Sequence, residues 1–416
     1  MHSISIDIGR LKADIRQLSD IGRRSEEDPG LYRMAFTEAE MAAKEWLMKR
    51  LHDAGLSARM DGAGNVIGRL SATKPENNSR PAALIGSHLD TVPCAGTLDG
   101  SLGVVIGLEC LRTLKVSQVP LGRPVELIAF ADEEGRFGAM FGSEAFCGFI
   151  HPARLQITDL DGFSLAHAMR AQGLDPDLAM DAARPRDQID SYLEVHIEQG
   201  PVLDANHEQV GIVEAITGLS KWQIRFHGEA NHAGTTPMEM RKDAFLGLAD
   251  FAHELDRILD ENGGPNSRAT IGTAQILPGA ANTVPGMVEF SLDIRDTDAN
   301  TLRELKNAFR KTLAAIARRK GLYFDYEELS HIEPVACNEH MIALLTEKAQ
   351  QLGLRFRKMP SGAAHDAQML AQITPTGMIF TPSREGKSHS PEEWTAWEDM
   401  QAAANLALHT LVSRAA

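Results

Sequence analysis

Hydrophobic positions change their spacing several times along the chain. Residues 8–54 carry apolar side chains three and four positions apart, which predicts two helices with a break at Asp28 to Gly30. Short apolar runs of the length of a buried strand follow at 64–70, 82–87, 125–131 and 191–197. Helical spacing at 103–114 and a polar, helical stretch at 159–185 lie between these runs. This alternation of strands and helices predicts an α/β sheet.

A second unit is indicated between residues 215 and 330. Strand-like runs lie there at 222–228, 268–277 and 287–294, and long amphipathic helices at 239–262 and 299–320. After Pro334 the pattern gives a helix at 338–352, an apolar run at 376–380 and a last helix from Trp394. We therefore predict an α/β domain formed by residues 1–214 and 331–416, interrupted by an inserted α+β module at 215–330.

Composition and charge limit which binding partners and which cellular compartment can be expected. The chain has 416 residues, of which 43% are hydrophobic and 24% charged, as in ordinary globular proteins of two or three domains. A formal net charge of -15 argues against nucleic acid or an anionic membrane as partner, because both require a basic patch. The four cysteines form no CxxC pair, and residues 1–18 lack the apolar core of a signal peptide. We predict a soluble, cytoplasmic protein.

His88 and Asp90 follow the apolar run at 82–87, where a buried strand gives way to a loop. Side chains two residues apart on a strand point to the same side, so Asp90 can fix the tautomer of a metal-binding imidazole at position 88. A His-x-Asp triplet is more often a turn or a satisfied hydrogen-bond pair. The triplet alone therefore does not establish a site.

Acidic residues appear at two further strand exits. Asp99 opens a glycine-spaced segment that becomes helical, where it is either a metal ligand or a helix N-cap. Asp132, Glu133 and Glu134 follow the run at 125–131, and three adjacent carboxylates repel one another unless cations or solvent neutralise them. Neighbouring glutamates also permit a division of labour, in which one binds metal and the other moves a proton.

Two histidines complete the pattern. His196 lies in the run at 191–197, and His389 lies in the loop after the run at 376–380. A buried histidine on an apolar strand is usually structural. Acids and imidazoles that meet at neighbouring strand ends, however, form a nitrogen and oxygen donor set suited to zinc, manganese or cobalt.

Eight motifs occur in order from residue 40 to the C-terminus: GSHLDTV, the glycine-flanked Asp99, FADEEG, YLEVHIEQGPVL, NHAGTTPM, ANTVPGMVEFSLDIRD, SGAAHDAQ and SHSPEEW. In this respect the chain resembles the hydantoinase/carbamoylase amidases of the dinuclear-metal aminoacylase and carboxypeptidase family. The resemblance implies two divalent metal ions per subunit: zinc, manganese, cobalt or nickel. It further implies a mixed-sheet metallohydrolase catalytic domain whose inserted module is a lid and the interface of a homodimer.

The same resemblance implies roles for individual residues. The metal ligands would be His88, the bridging Asp99, Glu134, His196 and His389. Glu133 would be the general base, Asp90 would orient His88, and His232 would stabilise the oxyanion, reaching it from the other subunit. Substrate contacts would come from Gln199, Asn282, Arg295, Gly362, Ala363 and His365. A surface salt bridge for Arg295 and a turn for the glycine segment are the alternatives.

The expected reaction is metal-assisted hydrolysis of the ureido C–N bond of N-carbamoyl-L-amino acids, giving amino acid, ammonia and carbon dioxide. Allantoate and then β-ureidopropionate are alternative substrates, since both pair a ureido group with a carboxylate. An aminoacylase or peptidase, or a non-catalytic ligand-binding protein, is a remoter alternative. One segment departs from the family pattern: RFGAMFGSEAF, after FADEEG, is shorter than usual, which leaves the detailed substrate preference open.

Overall fold

The computed structural model describes residues 4–25 and 27–416. Residues 1–3, which belong to the N-terminal segment that lacks a signal-peptide pattern, lie outside the described residues. The chain forms two compact units, one of Met1–Glu214 with Cys337–Ala416 and one of Ala215–Ala336. Residues 331–336, which the sequence prediction gave to the first domain, belong to the second unit. Within the described ranges, no helix is both long and apolar enough to cross a membrane.

The first unit contains most of the elements. Its helices are α1 (Ile8–Asp20), α2 (Glu38–Asp53), α3 (Ser101–Val116), α4 (Phe141–Cys147), α5 (Leu165–Ala171) and α6 (Val202–Ala205), and after the insertion α9 (Glu339–Gln351), α10 (Ala367–Leu370) and α11 (Trp397–Ala415). Its strands are β1 (Ser57–Met60), β2 (Val66–Leu70), β3 (Ala82–His88), β4 (Val125–Phe130), β5 (Ile189–Ile197), β6 (Val210–Ile216), β15 (Phe356–Ser361) and β16 (Thr376–Thr381).

These strands form one mixed sheet in the order β1-β2-β4-β3-β5-β16-β6, with β15 also paired to β6. The four central strands are parallel: β3 pairs with β4 and with β5, and β16 pairs with β5. Every residue of β3, β4 and β16 is buried, as expected for parallel strands covered on both faces. The carboxyl ends of these strands therefore meet at one edge of the sheet, where open α/β folds bind ligands.

Helix α3 is the centre of the core in this unit. It packs against β3, β4 and β5 and also against α1 and α11, and its residues from Ser101 to Leu114 are all buried. A helix that is buried on all sides belongs to the core. The helix starts directly after Asp99 and Gly100, so the core fixes the position of these two residues.

The second unit is an α+β module. Its strands are β7 (Gly218–His227), β8 (Asn231–His232), β9 (Arg268–Thr270), β10 (Ala274–Leu277), β11 (Thr283–Val284), β12 (Met287–Asp296), β13 (Tyr323–Ile332) and β14 (Val335–Ala336), and its helices are α7 (Ala244–Asn262) and α8 (Ala299–Lys320). An antiparallel sheet runs in the order β10-β12-β7-β13, with β9 also on β12. Buried and less buried residues alternate along β12, as in a sheet with one face against helices.

Two of the predicted elements differ from the structure, and strand β13 was missed. The run at 268–277 is two strands, β9 and β10, which pair with different parts of β12. The stretch at 159–185 holds only the short helix α5 and 3₁₀ turns, among them Pro176–Ala182. Strand β13 was not predicted; all of its residues are exposed or half-buried, so it lacks the apolar alternation of a half-buried strand.

Candidate metal centre

The predicted ligands lie at the carboxyl edge of the parallel strands. His88 is the last residue of β3, and His196 is the penultimate residue of the adjacent β5. Glu134 follows β4 after a turn in which Asp132 has a φ of 54°. His389, with a φ of 52°, lies in the loop after β16. Non-glycine residues in this left-handed conformation are strained, and such strain is concentrated at functional sites.

One group of possible metal donors consists of His88, Asp99 and His196, all buried, with donor atoms within 4.8 Å of one another. Asp99 Oδ1 lies 3.1 Å from His196 Nε2 and 3.5 Å from His88 Nε2. The other ring nitrogens bond to main-chain carbonyls: His196 Nδ1 to Ile197 at 2.9 Å and His88 Nδ1 to Asp90 at 3.0 Å. These bonds place the protons of the neutral rings on Nδ1 and leave Nε2 as the donor to a metal.

The second group consists of Asp99, Glu134 and His389. His389 Nε2 lies 3.3 Å from Asp99 Oδ2 and 3.3 Å from Glu134 Oε2. Asp99 thus belongs to both groups, and each of its two carboxylate oxygens faces a different one. This is the arrangement of a carboxylate that bridges two cations.

The donor set fits a divalent metal. Imidazole nitrogen and carboxylate oxygen are the ligands of zinc, manganese and cobalt. Among the described residues, the buried atoms His88 Nε2 and Glu134 Oε1 have no hydrogen-bond partner. A buried polar atom without a partner is costly, and a cation would supply the missing interaction.

The pKa shifts of the site residues also favour a bound cation. Burial opposes the charge of Asp99, but the charges and hydrogen bonds of His196 and the other histidines hold its pKa well below the ordinary value. Hydrogen bonds to Asp99 and Glu134 raise the pKa of His389 to about 11. The acidic cluster therefore binds protons on its histidines when no other cation is present.

Position 100 requires glycine, because the backbone after Asp99 lies very close to the ring of His88. Its φ is 61°, and a Cβ atom there would lie 2.4 Å from the ring of His88. An L-residue would therefore meet both backbone strain and a clash. The glycine that follows Asp99 is thus part of the geometry of the site.

Glu133 lies beside the metal donors without belonging to either group. Its Oε2 is 3.5 Å from His88 Nε2, and its side chain is 10% exposed. Burial raises its pKa well above the ordinary value, against the charge of His88, and the neighbouring carboxylates Asp366 and Glu134 add to the rise. A carboxyl group of this kind has a tendency to take up a proton.

Asp90 contacts both His88 and the segment after β4. His88 bonds to the main-chain carbonyl of Asp90, whereas the nearest carboxylate oxygen is 3.7 Å away. The carboxylate instead accepts the main-chain N–H groups of Glu133 at 3.3 Å and Glu134 at 3.1 Å. The side chain of Asp90 therefore holds the segment that carries the glutamate pair.

Gln199 lies in the site. Its Nε2 donates to Asp99 Oδ2 at 2.8 Å, and its main-chain N–H donates to Ser383 Oγ at 2.9 Å. Its Oε1 is buried and has no hydrogen-bond partner in the described part of the chain. The carbonyl oxygen of this side chain is therefore available to a donor on a ligand.

Two predicted substrate contacts are already engaged within the first unit. His365 is 1% exposed, packs its ring 4.5 Å from that of His196 and bonds to Ser361 Oγ at 2.9 Å. It packs against the ring of a possible metal donor, and its predicted contact with substrate stays a prediction. The N–H of Ala363 likewise donates to Ser361 Oγ at 3.1 Å, as in the turn interpretation, and Gly362 lies in the same loop.

His232, Asn282 and Arg295 belong to the second unit. His232 pairs with Thr283, and its Nδ1 accepts the N–H groups of Gly234 at 3.1 Å and Thr235 at 3.2 Å. The main-chain carbonyl of Asn282 accepts the N–H of Ala233 at 2.9 Å. Arg295 forms a two-point ion pair with Asp293, at 2.7 and 3.2 Å.

Buried charged residues close to the donors that were not predicted include Arg33, Asp366 and Glu393. Arg33 is fully buried and donates to Leu89 O at 3.1 Å and to Ser101 Oγ at 2.7 Å, beside two ligand segments. Glu393 accepts the N–H of Asp99. The only signal in the sequence was the place of Asp366 and Glu393 in the motifs SGAAHDAQ and SHSPEEW.

Comparison with known proteins identifies the family. Residues 84–413 match the Peptidase family M20/M25/M40. The chain is 37% identical over 405 residues, 97% of each chain, to an N-carbamoyl-L-amino-acid amidohydrolase of Paenarthrobacter aurescens. It is 36% identical over 374 residues, 89% of this chain and 90% of the other, to an allantoate amidohydrolase of Escherichia coli.

A crystal structure of an amidase of the hydantoinase/carbamoylase family from Burkholderia multivorans superposes with a TM-score of 0.91 at 33% identity, covering 99% of both chains. The fold and the resemblance predicted from the motifs are thereby confirmed. The chain belongs to the Peptidase family M20/M25/M40 and, within it, to the hydantoinase/carbamoylase amidases.

Proposed function

We propose that this protein is a metal-dependent amidohydrolase that cleaves the ureido C–N bond of N-carbamoyl-L-amino acids, releasing amino acid, ammonia and carbon dioxide. The observation that carries the proposal is the place of Glu133, buried beside His88 but outside both donor groups. A non-catalytic binding protein has no need of such a carboxyl group. The names of two relatives, both N-carbamoyl-L-amino acid amidohydrolases, support the same reaction class.

The proposal includes two divalent ions in each subunit, zinc, manganese, cobalt or nickel. His88 and His196 would hold one, Glu134 and His389 the other, and Asp99 would bridge them. When bound, such ions polarise a carbonyl group and lower the pKa of water toward about 7. The division of the Asp99 oxygens between the two groups supports this assignment.

The residues of the chain then have distinct tasks. Glu133 accepts the proton of the attacking water and returns it to the leaving nitrogen. Asp90 keeps Glu133 and Glu134 in place through their main-chain N–H groups. Gln199 accepts a hydrogen bond from a ureido N–H through its unpaired Oε1.

The second unit contributes substrate recognition and a lid in this proposal. Because Nδ1 of His232 accepts two main-chain N–H groups, its neutral ring carries the proton on Nε2 and can donate it to an oxyanion. Arg295 would bind the substrate carboxylate and Asn282 a polar substrate group. For Arg295 this requires a shift from its pairing with Asp293.

We further propose a homodimer formed through this unit, with His232 acting in the partner subunit. Mixing inactive His232→Ala and Glu133→Gln chains should then restore activity, since each mixed dimer contains one intact site. Absence of activity in mixed dimers, once their formation is shown by sedimentation, would contradict action across subunits. The four cysteines are all free, which supports a reducing compartment, and we propose the cytoplasm.

Allantoate is the second candidate substrate, since allantoate amidohydrolases of Escherichia coli and Bacillus subtilis are 36% and 35% identical to this chain. β-Ureidopropionate is a third. Each of these compounds pairs a ureido group with a carboxylate, so the contacts proposed for Gln199 and Arg295 would serve any of them.

Ammonia release by protein reconstituted with each metal in turn tests the proposal. The panel comprises N-carbamoyl-L- and D-amino acids, allantoate, β-ureidopropionate and, as controls, dipeptides. The expected result is activity on an N-carbamoyl-L-amino acid that is absent from the metal-free protein and from Glu133→Gln. Preference for allantoate would select the second candidate, and cleavage of dipeptides alone would overturn the proposal.

A further inference from the structure

Glu393 is a buried carboxylate that contacts the loop of the bridging aspartate. It is 3% exposed, and its Oε1 accepts the main-chain N–H groups of Leu98 at 2.8 Å and Asp99 at 3.0 Å. These bonds join residues that are 295 and 294 positions apart in the sequence. Glu393 therefore ties the backbone of Asp99 to the loop that carries His389.

The second oxygen of the same carboxylate makes a further link. Ser388 Oγ lies 3.2 Å from Glu393 Oε2 and 3.0 Å from Asp99 Oδ2. Ser388 directly precedes His389 in the chain. The hydroxyl group is thus placed between the carboxylate of Glu393 and the oxygen of Asp99 that faces His389.

Glu393 packs directly against the backbone of Gly96. A Cβ atom at Gly96 would lie 2.4 Å from Glu393 Cβ and 2.5 Å from Oε1. Real Cβ contacts of this length do not occur, so any larger residue at position 96 must displace Glu393. The side chain of Glu393 therefore fits against the loop before Asp99 because position 96 is a glycine.

We propose that Glu393 is a positioning residue that sets the second donor group by holding the backbone of Asp99 and the hydroxyl of Ser388 together. The inference deepens the proposed function, since it rests on the binding of two metal ions. It assigns the effect mainly to the group of Asp99, Glu134 and His389. Oδ1 of Asp99, which faces His88 and His196, has no contact with Ser388 or Glu393 among the described residues.

The role depends on hydrogen-bond geometry more than on charge. In Glu393→Gln the amide oxygen can accept the N–H groups of Leu98 and Asp99, and the amide nitrogen can donate to Ser388 Oγ. Ser388 can then still donate to Asp99. Glu393→Ala removes all of these bonds and leaves two buried N–H groups without an acceptor.

Titration of chelator-stripped protein with Co²⁺ or Zn²⁺ tests the proposal without reference to activity. For Glu393→Ala we expect one equivalent at the wild-type affinity and the other weakened by about 10- to 100-fold, as when a partner of a metal ligand is removed. Gly96→Ala should reproduce this loss and Ser388→Ala part of it. Glu393→Gln should bind both equivalents like the wild type.

The matched control is Glu392→Ala, since the side chain of Glu392 is 68% exposed and pairs with Lys387. Unfolding of each variant by urea in the metal-free state separates a loss of fold from a loss of metal. If Glu393→Ala is not folded, Ser388→Ala and Glu393→Gln carry the test.

Two equivalents at wild-type affinity in Glu393→Ala would overturn the proposal, as would equal loss of both equivalents. Weak binding by Glu393→Gln would overturn the geometric explanation in favour of charge. Failure of the wild-type protein to bind two ions would instead overturn the proposed function, so the two failures are distinguishable.

Discussion

Glu133→Gln separates the proposed base from the proposed metal donors. The exchange keeps the size of a side chain that is 10% exposed and removes its ability to take up a proton. Glu133 belongs to neither donor group, and the nearest imidazole nitrogen, His88 Nε2, is 3.5 Å away. We therefore expect turnover to fail while the metal content is unchanged.

The size of the effect follows from the surroundings of Glu133. A positioned general base contributes about 10²- to 10⁴-fold to a rate, or roughly 3 to 5.5 kcal/mol of transition-state stabilisation. Glu134 and Asp99 are engaged with His389, so neither can replace the missing carboxylate. The loss in kcat should thus lie toward the upper end, with little change in KM.

The assay combines ammonia release with metal analysis of the purified variants. Glu134→Gln is the matched control, since it changes a donor of the second group and should lose metal and activity together. More than about one-tenth of the wild-type kcat in Glu133→Gln would refute the assignment of the base, given the range for general-base catalysis. Loss of metal from that variant would refute its place outside the donor groups.

Three further predictions concern the metal, the packing of α3 and the core. Metal affinity should rise with pH from about 6 to 9, because His389, whose pKa is raised to about 11 in the metal-free site, must lose its proton to bind; competition titrations at several pH values would contradict this if the affinity were constant. Gly103→Ala places a Cβ 2.1 Å from the carbonyl oxygen of Val195, next to His196, and should cost about 1 to 3 kcal/mol in urea unfolding and weaken metal binding. In the control Gly107→Ala the contact is with the flexible side chain of Leu127, so a smaller loss is expected. Ile85→Ala in β3, at 0% exposure, should lower the free energy of unfolding by about 2 to 5 kcal/mol, whereas the fully exposed Leu160→Ala should change it by less than about 0.5 kcal/mol.

Elements whose ends carry recognisable capping residues could be predicted closely from the sequence. Helix α8 was predicted at 299–320 and is observed at Ala299–Lys320. Asp298 caps its first turn by accepting the N–H of Thr301, and Gly321, with a φ of 67°, ends it. Both signals are contained in the residues themselves.

Elements that depend on pairing could not be predicted in this way. The break between β9 and β10 occurs where Thr273 donates to the side chain of Ser291 on β12, so it is set by the partner strand. Strand β13 pairs with β7 along its whole length although all of its side chains are exposed or half-buried. Main-chain hydrogen bonds fix its place in the sheet, and such bonds produce no periodic pattern of apolar residues in the sequence.

The acids and imidazoles that form the two groups of possible donors could be found in the sequence, because strand ends and residue types are local properties. Their supports were not, since Arg33 and Glu393 act on main-chain groups that are far away in sequence. The side chain of Asp90 was assigned to His88, yet it binds the backbone of Glu133 and Glu134. A spacing of two residues indicates which side chains share a face, but not which hydrogen bond is formed.

A single short segment, from Gly96 to Gly100, sets the relation between the two donor groups. Core packing of α3 fixes its end, Glu393 fixes the N–H groups of its middle, and the missing Cβ of Gly100 lets it approach the ring of His88. Since Asp99 faces one group with each oxygen, loss of its carboxylate must change both groups at once. Loss of the contacts of Glu393 and Ser388, which lie on the side of Oδ2, should change mainly the second group. The separation of these two effects in metal titrations therefore tests whether Asp99 bridges two ions.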